Sequence, residues 1–238
     1  MDNSLRGIVK AVILSSLFIL GTTVNTKMGA VLPINTVETP VLDTAKTRLV
    51  KSFFGRYNKE LKQSTVRNFM EVSHSYGFTS DDDLFLDCIH QICLESQAKQ
   101  SARNKSGAMG ICQVTPTTAF EFIHKCDQEA LMKMASLGAS NMDWAIHGKY
   151  SYTNDSLRRP FLGKTLRKQA IDWLSVERNN LIVWGAIMSD GLAVLDKDQA
   201  FLRFHLGKQG QKRYQGHPSK HEYIRLIARI SSKRKGGS

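Results

Sequence analysis

"TSDDDLFLDCIHQICLES", residues 79–96, decides the fold. Ser80 and Asp83 form a capping box, and three acidic residues in the first turn suit the positive end of a helix dipole. Phe85, Cys88, Ile89, Ile92 and Cys93 then recur at helical spacing, which predicts a helix over about Asp81–Ser96 with one face in a core. Glu95 falls in its last turn. An exposed carboxylate there opposes the dipole by roughly 0.3–1 kcal/mol. It is either an accident of surface chemistry or a carboxyl whose proton is held tightly, as a general acid requires.

Downstream, "NKSGAMG" (104–110) reads as a loop whose glycines permit positive φ or close backbone approach. Thr115 is a plausible N-cap and Pro116 a plausible first helical residue, followed by an apolar stripe at Ala119, Phe122 and Ile123. Upstream, helices are expected over 44–62 and 64–76, the second with Val66, Phe69, Met70 and His74 on one face and Gly77 as its stop. Residues 137–163 read as loop, with a short hairpin near 147–153. Trp144, Tyr150 and Tyr152 there are rings of the kind that stack on sugars. Further helices fit 165–176 and 177–194, another begins at Asp198–Phe204, and a last runs from His221 to Ser231. The fold class is mainly α, a globular domain over 44–231 with at most a small β-hairpin, and residues 232–238 read as a disordered basic tail.

The chain has 238 residues and a formal net charge of +12. Such charge suits an anionic partner: nucleic acid, a membrane surface or an acidic polymer. Arg6 and Lys10 precede the apolar run Ala11–Gly21, too short to span a bilayer, so residues 1–30 read as a secretory signal peptide or a short anchor, and 31–43 as a linker. A periplasmic location follows, which argues against nucleic acid. Cys88, Cys93, Cys112 and Cys126 are then disulfide candidates. Cys88 and Cys93 sit about 140° apart around one helix and should not pair with each other. Two connectivities remain, with Cys93–Cys112 and Cys88–Cys126 the one adopted. A zinc site from Cys88, His90, His124 and Cys126 fits no ligand spacing; no metal or cofactor is expected.

Glu95-Ser96, then Gly107-Ala108-Met109-Gly110-Ile111-Cys112-Gln113, then Pro116-Thr117-Thr118-Ala119, follow one another without a gap. This series resembles the soluble lytic transglycosylase family, whose members carry Glu-Ser at a helix end and Gly-Ala-x-Gly-hydrophobic-x-Gln twelve residues on. The resemblance extends over residues 75–215. Asn180–Gly185 is similar to a further family motif, one residue longer here. Arg203-Phe204-His205-Leu206-Gly207 stands where the family has Ala-Tyr-Asn-x-Gly, so the ring is kept and the hydroxyl near the Glu is lost. Ala98 replaces a usual aromatic, and Asn104 a usual Ser.

The resemblance implies a lysozyme-like domain that cleaves peptidoglycan without water. The C6 hydroxyl of muramic acid attacks its own anomeric carbon, giving a 1,6-anhydro end, so one carboxyl suffices where glycosidases ordinarily need two. Glu95 would protonate the glycosidic oxygen and then take the hydroxyl's proton. By the same match Ser96 would orient Glu95 or touch sugar. Gly107, Ala108 and Gly110 would admit the glycan, Gln113 would bond it, and Phe204 would pack over Glu95. His205 or Tyr214 is a candidate to replace the lost hydroxyl, and Lys208, Lys212 and Arg213 would favour an anionic wall. Small secreted relatives open the wall for type IV-like secretion or related envelope machines, whose components are candidate partners. Two other readings stand beside this one: a catalytically weak peptidoglycan-binding scaffold, and a lysozyme-type hydrolase using Asp143, Asp155 or Asp172 to place water.

Overall fold

The computed structural model describes residues 44–105, 107–154 and 160–235. The expected signal peptide and linker lie outside them. The protein is mainly helical. In chain order the α-helices are α1 (Thr44–Tyr57), α2 (Gln63–Ser75), α3 (Asp82–Ser96), α4 (Pro116–Lys125) and α5 (Gln128–Ser136). They continue with α6 (Asp143–Ile146), α7 (Lys164–Leu174), α8 (Glu177–Leu192), α9 (Lys197–Lys212) and α10 (Glu222–Lys235). A minimal antiparallel pair joins β1 (Ser151–Tyr152) to β2 (Pro160–Phe161). The expected hairpin is therefore present but spans 151–161. Among the described residues no helix is long and apolar enough to cross a membrane.

Helix α8 is the centre. Its run Leu181–Ala186 is buried on every side, against α2, α4, α5, α7 and α9. Trp184 meets Phe69 of α2 and Phe78, and Phe69 also meets Phe54 of α1 and Phe85 of α3, with ring centroids 5.2–5.9 Å apart. On α2, Val66, Phe69 and Met70 are buried as expected, but His74 is exposed and Val72 and Ser73 take the inner positions. Trp144 is likewise a core ring, 5.9 Å from Trp173, and not a surface platform. Tyr150 is half-buried against Phe120, which leaves Tyr152 as the exposed ring of the three.

Helix ends follow local chemistry. Asp81 rather than Ser80 caps α3, its carboxylate accepting the Leu84 N–H at 2.9 Å, because consecutive acids offer several caps and Ser80 Oγ instead donates to the Gly77 carbonyl. Thr115 caps α4 through the Thr118 N–H at 3.0 Å, with Pro116 next. Helix α1 stops at Tyr57, short of 62, because Asn58 turns away and donates its side-chain amide to the Ala98 carbonyl. Helix α10 runs on to Lys235 where a disordered tail was expected from 232; lysines and arginine in a last turn suit the helix dipole.

The four cysteines stand as thiols, which corrects the expected disulfides. Cys88 and Cys93 lie on α3, which packs on α1 and α10, whereas Cys126 ends α4, which packs on α6, α7 and α8. Burial pushes the Cys93 thiol up to about 12 and raises Cys88 and Cys112 as well, so none of these three offers the thiolate that exchange requires.

The aromatic centre sets a test of the fold. Phe69→Ala should cost about 3–5 kcal/mol, seen as a lower urea midpoint at unchanged slope.

Candidate active site

Helix α3 ends abruptly. Gln97 (φ 57°) and Ala98 (φ 55°) are both left-handed, and the Gln97 N–H closes the helix on the Cys93 carbonyl at 3.0 Å. Two non-glycine residues in that region cost of order 1 kcal/mol each or more, and persist where surroundings over-determine them. The Ala98 carbonyl is held by Asn58 Nδ2 at 2.9 Å. The buried Ser96 hydroxyl spans the Ile92 carbonyl at 3.1 Å and the Ile111 carbonyl at 2.5 Å. Ser96 therefore ties the helix end to the following turn, and its hydroxyl is not aimed at a ligand.

That turn, Gly107–Gln113, is clamped from beneath by Asn180 of α8. Asn180 Nδ2 donates to the Met109 carbonyl at 3.0 Å, and its Oδ1 accepts the Cys112 N–H at 2.9 Å. A Cβ on Gly110 (φ 77°) would lie 2.5 Å from that amide, so the glycine makes room for Asn180 rather than for a glycan. Gln113 Nε2 donates to the Ala102 and Gly110 carbonyls at 3.0 and 2.9 Å, so both its donor protons are used within the loop. Asn104 Oδ1 accepts the Ala108 N–H at 2.9 Å and fixes the turn's start; Ala108 is buried. Gly107 (φ 84°) faces the Arg167 guanidinium, 3.3 Å from where a Cβ would stand. Ser96, Gly110 and Gln113, expected to orient Glu95 or to meet substrate, thus take part in the frame of the site.

Glu95 projects from this frame with 14% of its side chain exposed. Its Oε1 accepts two hydrogen bonds, from the Tyr223 hydroxyl at 2.8 Å and with His205 Nδ1 at 3.1 Å. Tyr223 lies on α10, 128 residues away along the chain. Burial, and after it the neighbouring Glu95 carboxylate, push the Tyr223 phenol well above its ordinary range, so it stays a donor. The His205 ring stacks on Tyr223 with centroids 3.9 Å apart and planes 7° from parallel. His205 ends the regular first part of α9; Gly207 (φ 72°, ψ 172°) kinks the chain immediately after it.

Phe204, expected to pack over Glu95, is half-buried against the core, and the side chains bonded to Glu95 are His205 and Tyr223. Tyr214 does not bond Glu95 but meets His221 edge-on at 4.8 Å. Tyr223 carried no local signal, being one apolar-face position of a terminal helix. Gln91 was missed too: one turn before Glu95, its buried Oε1 accepts Trp184 Nε1 at 3.0 Å. His221 caps α10, its Nδ1 accepting the Tyr223 N–H at 3.1 Å. Compared with family models, curated proteins and solved structures, the chain finds no match.

Two outcomes follow from this geometry. Asn180→Ala strands the buried Cys112 N–H and Met109 carbonyl and should cost about 1–3 kcal/mol in chemical unfolding. His221 is held below its ordinary titration range by burial and then by His205. The unfolded chain therefore binds more protons just below that range, and the contribution of the cap is present above it and lost as pH falls. Thermal melts should show a decline from about pH 7 to about pH 5 that His221→Asn, a cap that does not titrate, makes shallower.

Proposed function

We propose that the protein is a peptidoglycan lytic transglycosylase of lysozyme-like architecture, with Glu95 as its single acid and base. The observation that carries this reading is the placement of Glu95: a mostly buried carboxyl at a rigid helix end, with both of its donors on one oxygen. Tyr223 and His205 anchor Oε1, which leaves Oε2 as the oxygen that exchanges a proton with substrate. In the reaction Oε2 gives its proton to the glycosidic oxygen between N-acetylmuramic acid and N-acetylglucosamine as that bond breaks. The C6 hydroxyl of the muramic residue closes on the anomeric carbon and returns its proton to the same oxygen. The carboxyl ends as it began, and no second carboxylate or water is used.

The departure at Phe204 motivated a scaffold without catalysis, because the hydroxyl beside the acid was missing from that position. A hydroxyl stands beside Glu95 nonetheless, from Tyr223, which supports the enzyme. The hydrolase reading gains nothing from Asp143 and Asp172, both exposed, the latter paired with Lys168 at 2.6 Å; Asp155 lies outside the described residues. Lys208, Lys212 and Arg213 are exposed just past the kink at Gly207, and with the net charge of +12 they favour approach to an anionic wall. The setting of this activity is the periplasm, at local openings made for a secretion apparatus or a related envelope complex.

Purified protein incubated with peptidoglycan should release fragments ending in 1,6-anhydro-muramic acid, identified by mass spectrometry. Glu95→Gln should lower the rate by about 10²–10⁴-fold. Tyr223→Phe, which removes one bond to the carboxylate, should lower it by about 10–100-fold. Reducing-end products would indicate a hydrolase, and an intact wall with retained binding a scaffold.

A further inference from the structure

His205 places an ionisable imidazole beside the catalytic carboxyl, where the resembling family has an asparagine that does not ionise. Its Nδ1 is 3.1 Å from Glu95 Oε1, and a third of its side chain is exposed. Its ring cannot swing freely, since Tyr223 covers one face at 3.9 Å and His221 meets it at 5.9 Å. A carboxyl and an imidazole at this distance are close enough for one proton to reside on either.

We propose that Glu95 and His205 together hold one proton, so that the share of molecules with that proton on Glu95 stays level up to the pH at which the pair loses it, where a carboxyl alone would lose it progressively. The inference rests on the transglycosylase reading above for its kinetic consequence, but not for the sharing itself. The pair carries its single proton in two forms. In one, Glu95 is a carboxylate and His205 an imidazolium. In the other, His205 has released its Nε2 proton to solvent and Glu95 has gained one at Oε2. The bond from Nδ1–H to Oε1 is the same in both, and the number of protons does not change. The second form is the acid the reaction uses, and it is a fixed share of the one-proton state.

The surroundings of His205 fit this. The carboxylate bonded to it is Glu95, from α3. From α10 and its cap come Tyr223, which stays a neutral donor, and His221, which is held towards its neutral form and feels Glu222 and Arg225. Tyr214 packs on His221 from the preceding loop. On its own helix Arg203 is paired with Asp190 of α8 at 3.1 Å. His221 cannot take up a proton while its Nδ1 caps α10 through the Tyr223 N–H, so it adds no competing positive charge beside an imidazolium at 205. A neutral cap and a charged neighbour support each other.

Two measurements test the proposal. The first needs no activity: the Cε1–H resonance of His205, assigned by its loss in His205→Asn, is followed against pH by NMR in the wild type and in Glu95→Gln. Its midpoint should fall by at least about one pH unit in the glutamine variant, a tenfold loss of proton affinity. An unchanged midpoint overturns the proposal. The second is the pH profile of kcat/KM for glycan cleavage. His205→Asn keeps a donor towards Oε1 but cannot titrate, so it should match or exceed the wild type at about pH 5. Its alkaline limb should then fall at lower pH, about tenfold per unit. His205→Gln should behave alike, and melting temperatures of both variants report whether the fold is kept. A variant that is slower at all pH values with an unmoved alkaline limb overturns the proposal, because His205 then only packs. If the wild type cleaves no glycan at any pH, the transglycosylase reading falls, and the NMR titration alone decides the shared proton.

Discussion

One buried amide holds the site together. Asn180 reaches out of the most enclosed helix of the protein and takes both a carbonyl and an N–H from the turn that follows Glu95. Each such bond contributes only about 1 kcal/mol net, but leaving either backbone group unpaired in the interior costs more than that. The turn therefore has one low-energy position relative to α8. Ser96 passes that position on to α3 through the Ile111 carbonyl, and Gln100 adds a second tie, its Oε1 accepting the Ile111 N–H at 3.1 Å. Glu95 stands one residue before Ser96 and inherits the rigidity. Residues matched to substrate contact by their motif are, in three dimensions, the scaffold of the acid.

The donors to the acid come from the far end of the chain. Docking of α10 on α3 closes a loop of more than a hundred residues, yet loop-closure entropy grows only as the logarithm of length. The buried Tyr223, Ile224 and Ile227 face that docking, and their transfer from water offsets the closure. A consequence is that the site is built from parts of unequal stability. The frame beneath Glu95 belongs to the core around α8. Its two donors belong to α10 and the kinked end of α9, which local opening can release while the core stays folded.

The legible parts of the sequence were those with local causes. Helix α3 showed itself through its acidic first turn and apolar period, and α4 through Thr115-Pro116. Where causes are tertiary, the sequence misled. The first helix was read too long because Asn58 leaves it to bond Ala98, forty residues on. Trp144 read as a surface ring because 137–163 read as loop, and only the packing of Trp173 and Phe120 shows it as core. The cysteines read as disulfides from an inferred compartment, which says nothing about which helix faces meet. At the site, Glu95 was legible by motif and His205 as a candidate partner, but Tyr223 was not. A lone tyrosine in a terminal amphipathic helix looks like any core ring until α10 is laid on α3.

The placement of both donors on Oε1 has a chemical meaning that their number alone lacks. A carboxyl that must give and then recover a proton within one turnover needs its two oxygens to be inequivalent, or the proton is lost to whichever site is better solvated. Here Oε1 takes the bonds of a phenol and an imidazole, and Oε2 is the oxygen left for the proton in the proposed reaction. The phenol's own direction is constrained in turn. Burial, and after it the Glu95 carboxylate, hold the phenol in its protonated form, so the bond between them has one direction. Tyr223 therefore directs its own proton at Glu95 Oε1, at 2.8 Å. A buried phenol from the last helix thus bears on which oxygen of a single carboxyl is left for the proposed chemistry.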